Sequence, residues 1–171
     1  MLPSMKPVST RRNGLIVVAL ATAALLQWGT ASAQEMKPFL TLKTAQAMAE
    51  AADKKATAMG IKVHIAIVDD GGNLKYYLRQ DGAALVAEKI SQMKAFTSVA
   101  MEKSTAEVGE ISKEVTPGIE LVPNLIKFGG GLPIKNSKGQ ILGGIGVSGA
   151  SKEDDATVAQ AGLDAVKALL N

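Results

Sequence analysis

The chain contains no cysteine and only one histidine, His64, among its 171 residues. Cysteine and histidine are the main ligands of zinc and iron–sulfur sites, so a structural zinc site and an iron–sulfur cluster are excluded. A cysteine nucleophile and a disulfide framework are excluded for the same reason. Haem held by two histidines of one chain is excluded as well, although two copies of His64 could meet in an oligomer.

Acidic residues are absent from the first 33 positions, which carry the basic residues Lys6, Arg11 and Arg12. An apolar run follows at residues 15–26, and Ala31-Ser32-Ala33 has the small-residue pattern that signal peptidase accepts. This run of about 12 residues is shorter than the ~20 that a helix needs to span a bilayer. The order predicts a secretory signal at residues 1–33.

Removal of that signal leaves Gln34–Asn171, which we expect to be periplasmic or secreted, with no stable insertion in a membrane. Three of the 19 basic residues and none of the 16 acidic ones lie in the signal, so the mature chain carries 16 of each. A formally neutral chain gives no reason to expect nucleic acid as a partner. Its length suits a single domain.

Hydrophobic periodicity and turn residues predict four helices and two β-hairpins. We expect helices at about residues 42–59, 84–101 and 105–114 and from Ser151 onward, and strands at 62–68, 74–79, 132–135 and 140–147. Strands joined by hairpins form largely antiparallel sheets, so the pattern predicts an α/β (α+β) fold with helices packed on such a sheet. In the long second helix, the apolar residues predicted to face the core are Val86, Ile90, Met93, Phe96 and Ala100.

Two motifs that suggest chemistry have simpler interpretations. Gly144-Ile-Gly-Val-Ser-Gly149 spells a dinucleotide-binding fingerprint, but it precedes the last helix, and no second strand can follow it. We interpret these glycines as sites of close strand packing. Asp69 and Asp70 precede two glycines and are predicted to form a turn. His64 lies within a strand, where we expect a hydrogen-bonded or half-exposed side chain.

Three stretches, in this order and spacing, resemble the GlcG/HbpS-like family. They are Ile65-Ala-Ile-Val-Asp-Asp-Gly-Gly-Asn73 with Leu78-Arg-Gln-Asp-Gly82, then Lys94-Ala-Phe-Thr97, and finally Gly129-Gly-Gly-Leu-Pro-Ile134 with Gly143-Gly-Ile-Gly-Val-Ser-Gly-Ala150. The resemblance extends from about Leu40 to Leu169. It implies a profilin-like domain that forms dimers or higher oligomers. Exported members of the family are associated with haem binding, and some with haem degradation or with a redox-sensing partner.

The resemblance also implies where haem would bind. The Lys-Ala-Phe-Thr segment places Thr97 near the haem iron. Lys94, Thr97 and Met101 share one helical stripe, so Lys94 could pair with a propionate and Met101 could offer an axial sulfur. His64 is the alternative iron ligand. The residues expected to form apolar walls are Phe96, Phe128, Leu132 and Pro133.

Two other hypotheses remain open. The chain could be an enzyme acting on a small organic acid or an aromatic-breakdown intermediate, with Lys94, Arg79 and Asp81 as its polar groups. It could also be a structural oligomer without a small ligand. The predicted signal favours an exported haem-binding protein, serving haem uptake, storage, degradation or redox sensing with a sensor or transporter as partner. We expect a homo-oligomer in which the glycine-rich residues 129–149 pack against another copy.

Overall fold

The computed structural model describes residues 36–115 and 117–170. The predicted signal at residues 1–33 and its cleavage site lie outside the described residues. From Pro38 onward the described residues form one compact unit. In the portion of the chain that is described, no helix is both long and apolar enough to cross a membrane.

Helices and strands follow the predicted order, and the predicted fold class is confirmed. The described residues form, in chain order, α1 (Leu42–Ala58), β1 (His64–Asp69), β2 (Leu74–Arg79), α2 (Val86–Ala100), α3 (Thr105–Glu114), β3 (Gly131–Lys135), β4 (Ile141–Ser148) and α4 (Lys152–Val166). Short 3-10 turns occur at Ile119–Leu121 and Lys167–Leu169. Thr41 caps α1, because its hydroxyl accepts a hydrogen bond from the Thr44 amide at 3.1 Å.

The four strands form one antiparallel sheet in the order β2-β1-β4-β3. Hairpins join β1 to β2 and β3 to β4, and the central pair is β1 with β4. In this register His64 lies opposite Arg79 on one side and Ser148 on the other. Alternate residues of a strand point to opposite faces of the sheet, so His64, Ala66 and Val68 share one face.

Helices cover both faces of the sheet. On one face α1 and α4 pack together over the main core, whose buried side chains include Met48, Ile65, Ile145 and Val158. The buried side chains that α1 contributes to this core are Ala45, Met48, Ala49, Ala52 and Ala56. On the other face α2 packs against β1, β3 and β4, where the smaller cluster of Ala66, Val68 and Ala95 lies.

The predicted core-facing side of α2 is wrong. Val86 is 70% exposed and Ala100 is exposed, while Ile90, Met93 and Phe96 are only half-buried. The buried residues of α2 are instead Ala87, Ser91, Lys94, Ala95, Thr97 and Ser98. The cause lies in the sheet, where a side chain at Gly146 would meet the carbonyl oxygen of Ser91. The helix backbone lies close to β4, and Ser91, Ala95 and Ser98 at this contact all have small side chains.

The same contact explains the glycine fingerprint. A Cβ at Gly144 would lie 2.5 Å from the carbonyl oxygen of Ala95, and one at Gly146 would lie 2.5 Å from the amide of Ala95. These glycines allow close packing, as the sequence interpretation predicts. The turn interpretation of Asp69 is also confirmed, because its carboxylate accepts hydrogen bonds from the Gly71 and Asn73 amides, both at 2.9 Å.

Candidate functional site

A buried ion pair links the middle of α2 to the start of α4. Lys94 is 1% exposed and Asp155 is 2% exposed. The Lys94 ammonium donates to Asp155 Oδ2 at 2.7 Å and to the Val147 carbonyl oxygen at 2.8 Å. Asp155 Oδ1 accepts from the Ala150 amide at 3.0 Å. The pair therefore joins α2, β4 and the α4 N-terminus in one network.

Gly130 covers this pair and has to be glycine. Its φ of +114° lies in a region that side chains disfavour. A Cβ at this position would also lie 2.7 Å from Lys94 Nζ and 2.8 Å from Asp155 Cβ. The second glycine of the Gly129-Gly-Gly131 run therefore makes room for the ion pair.

Burial acts against both charges of the pair. It lowers the pKa of Lys94, although the hydrogen bond to Asp155 and the charge of that carboxylate oppose the change. Burial likewise raises the pKa of Asp155, opposed by the hydrogen bond and charge of Lys94. The sequence gives no signal for this pairing, because an acidic residue in the first turn of a helix is expected there for dipole reasons alone.

A cavity of about 240 Å³ lies beside the ion pair. The aromatic ring of Phe128 forms one wall, and its centroid is 5.5 Å from Lys94 Nζ, within the range of a cation–π contact. The other lining residues that bear on its chemistry are Ala84, Ala87, Ile90, Ser148, Lys152 and Asp155. Two residues assigned from the sequence, Lys94 and Phe128, therefore meet at this cavity.

Thr97 lies in the protein interior and is 0% exposed. Its hydroxyl accepts a hydrogen bond from the Ile126 amide at 2.9 Å and donates to the Asn124 carbonyl oxygen at 3.3 Å. This hydroxyl therefore holds the segment that precedes β3 against α2. A ligand could reach the hydroxyl only if that segment moved.

Phe96 lies on the outer side of α2, against the β1–β2 turn. A Cβ at Gly72 would lie 2.8 Å from the Phe96 ring, so the ring rests directly on this glycine. A cleft of about 530 Å³ opens here, which we call the outer cleft. It is lined by Val68, Gly72, Leu74, Lys89, Gln92, Met93, Phe96 and Asn124.

The remaining residues assigned from the sequence are dispersed. Met101 is the half-buried C-cap of α2, and Pro133 lies on the edge strand β3 opposite Gly144. Neither residue lines the outer cleft or the cavity beside Lys94. Arg79 and Asp81 are exposed around the end of β2 and likewise line neither space. The three polar groups of the organic-acid hypothesis are therefore not assembled around one cavity.

His64 is fully buried and hydrogen-bonded through both ring nitrogens. Nε2 lies 3.0 Å from the Ala84 carbonyl oxygen, which can only accept, so we assign the ring proton to Nε2. Nδ1 then accepts from the Tyr77 hydroxyl. Across residues 36–115 and 117–170, no three His, Cys, Asp or Glu side chains cluster in a way that could hold a metal ion.

Comparisons with known proteins identify similar chains. The family model described as "Haem degrading protein HbpS-like" matches residues 40–164. Protein GlcG from Escherichia coli strain K12 is 35% identical over 112 residues, covering 66% of this chain and 83% of GlcG.

Two solved structures have folds similar to that of this chain. A double mutant of HbpS from Streptomyces reticuli has a TM-score of 0.73 and 30% identity, covering 99% of both chains. A PduOC–haem complex has a TM-score of 0.72 and 30% identity, covering 75% of this chain and 95% of PduOC.

Proposed function

This chain belongs to the HbpS-like family, and from that premise we propose that it binds haem. One observation carries the proposal: the PduOC–haem complex shares the fold of this chain at a TM-score of 0.72. The name of the matching family model also refers to haem.

The stripe of Lys94, Thr97 and Met101 is poorly suited to haem in this conformation. Lys94 is held by Asp155 and Val147, and the Thr97 hydroxyl is held by the segment before β3. The cavity beside Lys94, at about 240 Å³, is below the usual lower bound of ~300 Å³ for drug-sized ligands. Haem bound there would have to displace part of the protein interior.

The outer cleft fits haem better. Its volume of about 530 Å³ is within the ~300–1,000 Å³ range of ligand pockets. Phe96, Met93 and Leu74 supply apolar contact area, and Lys89 supplies a cation for a propionate. The Met93 thioether could serve as a soft axial ligand. Haem would contribute the iron chemistry, and the chain would contribute the walls and the ligand.

A third cleft, of about 420 Å³, is lined by residues of α3 and α4 together with Phe128. The charged residues in its lining are Glu110, Glu153, Lys113, Lys127 and Lys152. Two of these lysines already pair with the two acids, Lys113 with Glu110 at 2.7 Å and Lys152 with Glu153 at 3.6 Å. The outer cleft has no acidic residue in its lining, and this difference favours it.

We further propose that the protein acts outside the cytoplasm, since residues 1–33 have the pattern of a secretory signal. Binding there would serve haem uptake, storage, degradation or redox sensing, with a sensor or transporter protein as partner.

Hemin titration followed in the Soret region tests the proposed function. We expect saturable binding by the parent protein and a shifted Soret maximum in Met93→Leu, which keeps the volume of the side chain but removes the sulfur. Phe96→Ala should weaken binding by about one to two decades, because it removes ~1.5–3 kcal/mol of apolar burial. Val86→Ala, on the same helix but outside the cleft lining, is the matched control and should bind like the parent.

The alternative outcomes are distinct. No Soret change in the parent protein would refute haem binding. Parent-like titrations of Met93→Leu and Phe96→Ala would refute the outer cleft. If Thr97→Ala and Met101→Leu then changed the spectrum, the haem site would be the interior stripe.

A further inference from the structure

Ser148, the last residue of β4, has a buried hydroxyl that engages no partner among residues 36–115 and 117–170. Ser148 is 5% exposed, and no residue in the described part of the chain forms a hydrogen bond with its hydroxyl. Other buried serines are satisfied: Ser91 donates to the Glu88 carbonyl at 2.8 Å, and Ser98 donates to the Ala95 carbonyl at 2.7 Å. A buried polar group without a partner is costly, so this hydroxyl calls for an explanation.

The position of Ser148 directs its hydroxyl into the cavity beside Lys94. Ser148 pairs with His64 in the sheet register, and side chains directly opposite each other share a face. That face is the one covered by α2, whose residues Ala87, Ile90 and Lys94 line the cavity. We call this cavity, bounded by Ala87, Ile90, Lys94, Phe128, Ser148 and Asp155, the Ser148 pocket.

The polar part of the Ser148 pocket is rich in hydrogen-bond donors. An ammonium group has three N–H donors. Within the described part of the chain, two donors of Lys94 are engaged, one by Asp155 and one by the Val147 carbonyl oxygen. The third N–H and the Ser148 hydroxyl remain for a ligand. Lys152, 65% exposed, lines the pocket and adds positive charge, although it also pairs with exposed Glu153 at 3.6 Å. Asp155 also lines the pocket, but both of its carboxylate oxygens already accept hydrogen bonds within the fold. The donors that remain favour an acceptor, and Lys152 favours a negatively charged one.

The rest of the pocket is apolar and small. Ala84, Ala87, Ile90 and Phe128 would contact a short hydrocarbon or aromatic body. The volume of about 240 Å³ is below the ~300 Å³ typical of drug-sized ligands, so the pocket suits a ligand much smaller than haem. We propose that the Ser148 pocket binds a small monocarboxylate, its carboxylate accepting from Ser148 and Lys94, at a site separate from the haem cleft.

Titration of the protein with benzoate, followed by calorimetry and by amide NMR shifts, tests this assignment. Benzamide has the same shape without the charge and should bind at least ~10-fold more weakly, because hydrogen bonds to charged groups are stronger. Ser148→Ala should weaken benzoate binding ~10- to 100-fold. Ser137→Ala, which changes an exposed serine in the β3–β4 turn, should leave it unchanged.

Each contrary result would overturn a stated part of the proposal. If the parent protein does not bind benzoate, the pocket is not a site for such carboxylates, and if Ser148→Ala binds it as tightly as the parent, the hydroxyl takes no part in binding. Equal affinities for benzoate and benzamide would refute recognition of a carboxylate. Hemin binding should be the same in Ser148→Ala and the parent, and its loss would show that the two sites are not separate.

Discussion

Lys94 shows how a residue is placed by contacts that its neighbours in the sequence do not reveal. The family motif draws attention to it, and its helical position suggests either a solvated lysine or one that faces a ligand. The structure buries it instead against Asp155, which is 61 positions away along the chain. A buried charge of this kind is tolerated only while its partner is present.

Removal of one partner should therefore destabilise the fold strongly. We expect Lys94→Met to lower the free energy of unfolding by about 3–5 kcal/mol, because it leaves the Asp155 carboxylate buried and unpaired. Adding Asp155→Asn should restore much of the loss, since the amide oxygen can still accept from the Ala150 amide. Urea denaturation of the parent, the single variant and the double variant measures both changes. A double variant less stable than the single one would contradict this account of the pair.

The sequence identifies candidate site residues better than it identifies the groups that they contact in the folded protein. Thr97 and Lys94 are identified by the motif, but the Asn124 and Ile126 contacts of Thr97 are made by an irregular segment with no periodicity. Local patterns contain no information on which carbonyl a buried hydroxyl will meet. The open hydroxyl of Ser148 is likewise visible only after the sheet register is known.

At the scale of elements, helix α2 shows where periodicity misleads. The apolar residues Ile90, Met93 and Phe96 recur at helical spacing, and the pattern predicts that they face the core. Glycines on β4 bring the helix backbone close to the sheet, so small side chains take the inner face. Those glycines were visible in the sequence, but their contact with α2 depends on sheet pairing. By contrast, both hairpins, both ends of α1 and α3, and the start of α4 follow from local signals.

The close contact between α2 and β4 predicts a large effect at Gly146. A methyl group there would meet the Ser91 carbonyl oxygen and the Ala95 backbone, neither of which can move independently. Gly146→Ala should cost about 1–3 kcal/mol or more in unfolding free energy. Gly71→Ala is the matched control, since its Cβ would mainly meet the movable side chain of Asn73 at 2.9 Å. Thermal unfolding of both variants compares them, and equal losses would contradict the packing explanation.

The N-terminus of α3 has a capping box that should depend on pH. The Ser104 hydroxyl accepts from the Glu107 amide at 3.2 Å, and Glu107 accepts from the Ser104 amide at 2.8 Å. Hydrogen bonds from the Ser104 side chain and backbone hold the pKa of Glu107 below its ordinary value of 4.5. A lowered folded-state pKa means that this stabilisation is complete above pH 4.5 and is lost as the pH falls through the folded pKa.

Ser104→Ala should therefore destabilise the protein by about 1 kcal/mol at neutral pH. The difference from the parent should shrink in acid, where protonated Glu107 no longer accepts as a carboxylate in either protein. Urea denaturation at pH 7 and at pH 3 measures it, with Ser104→Thr as the variant that retains the cap. If the difference in unfolding free energy between Ser104→Ala and the parent grew in acid, the expected direction of the pH dependence would be contradicted.

At the scale of the whole molecule, we predict that export removes residues 1–33. The basic start, the short apolar run and Ala31-Ser32-Ala33 together have the order of a cleaved signal. Mass spectrometry of the exported protein should show a chain beginning at Gln34, with or without cyclisation of that residue. Recovery of the full-length chain from the membrane fraction would contradict cleavage.

The family resemblance also predicts an oligomer, and only part of residues 129–149 is available for it, because β3 lies at the edge of the sheet and the β3–β4 turn is exposed. Of the glycine-rich residues 129–149, β4 lies inside the sheet between β1 and β3. Gly143, Gly144 and Gly146 are buried against backbone of the same chain, so they are not available to a second copy. Haem ligation by two copies of His64 is disfavoured in the same way, because His64 is 0% exposed and both its ring nitrogens are hydrogen-bonded.

We still expect a species of at least two chains at micromolar concentration, on the basis of the resemblance. Large apolar side chains remain on the surface of the described unit, among them Leu85 at 74% and Val86 at 70% exposure. Their burial between copies would be favourable and would depend only weakly on salt, unlike contacts between charges. Light scattering at low and high ionic strength tests both statements. A monomer mass under both conditions would contradict the oligomer, and dissociation by salt alone would show that charges hold the copies together.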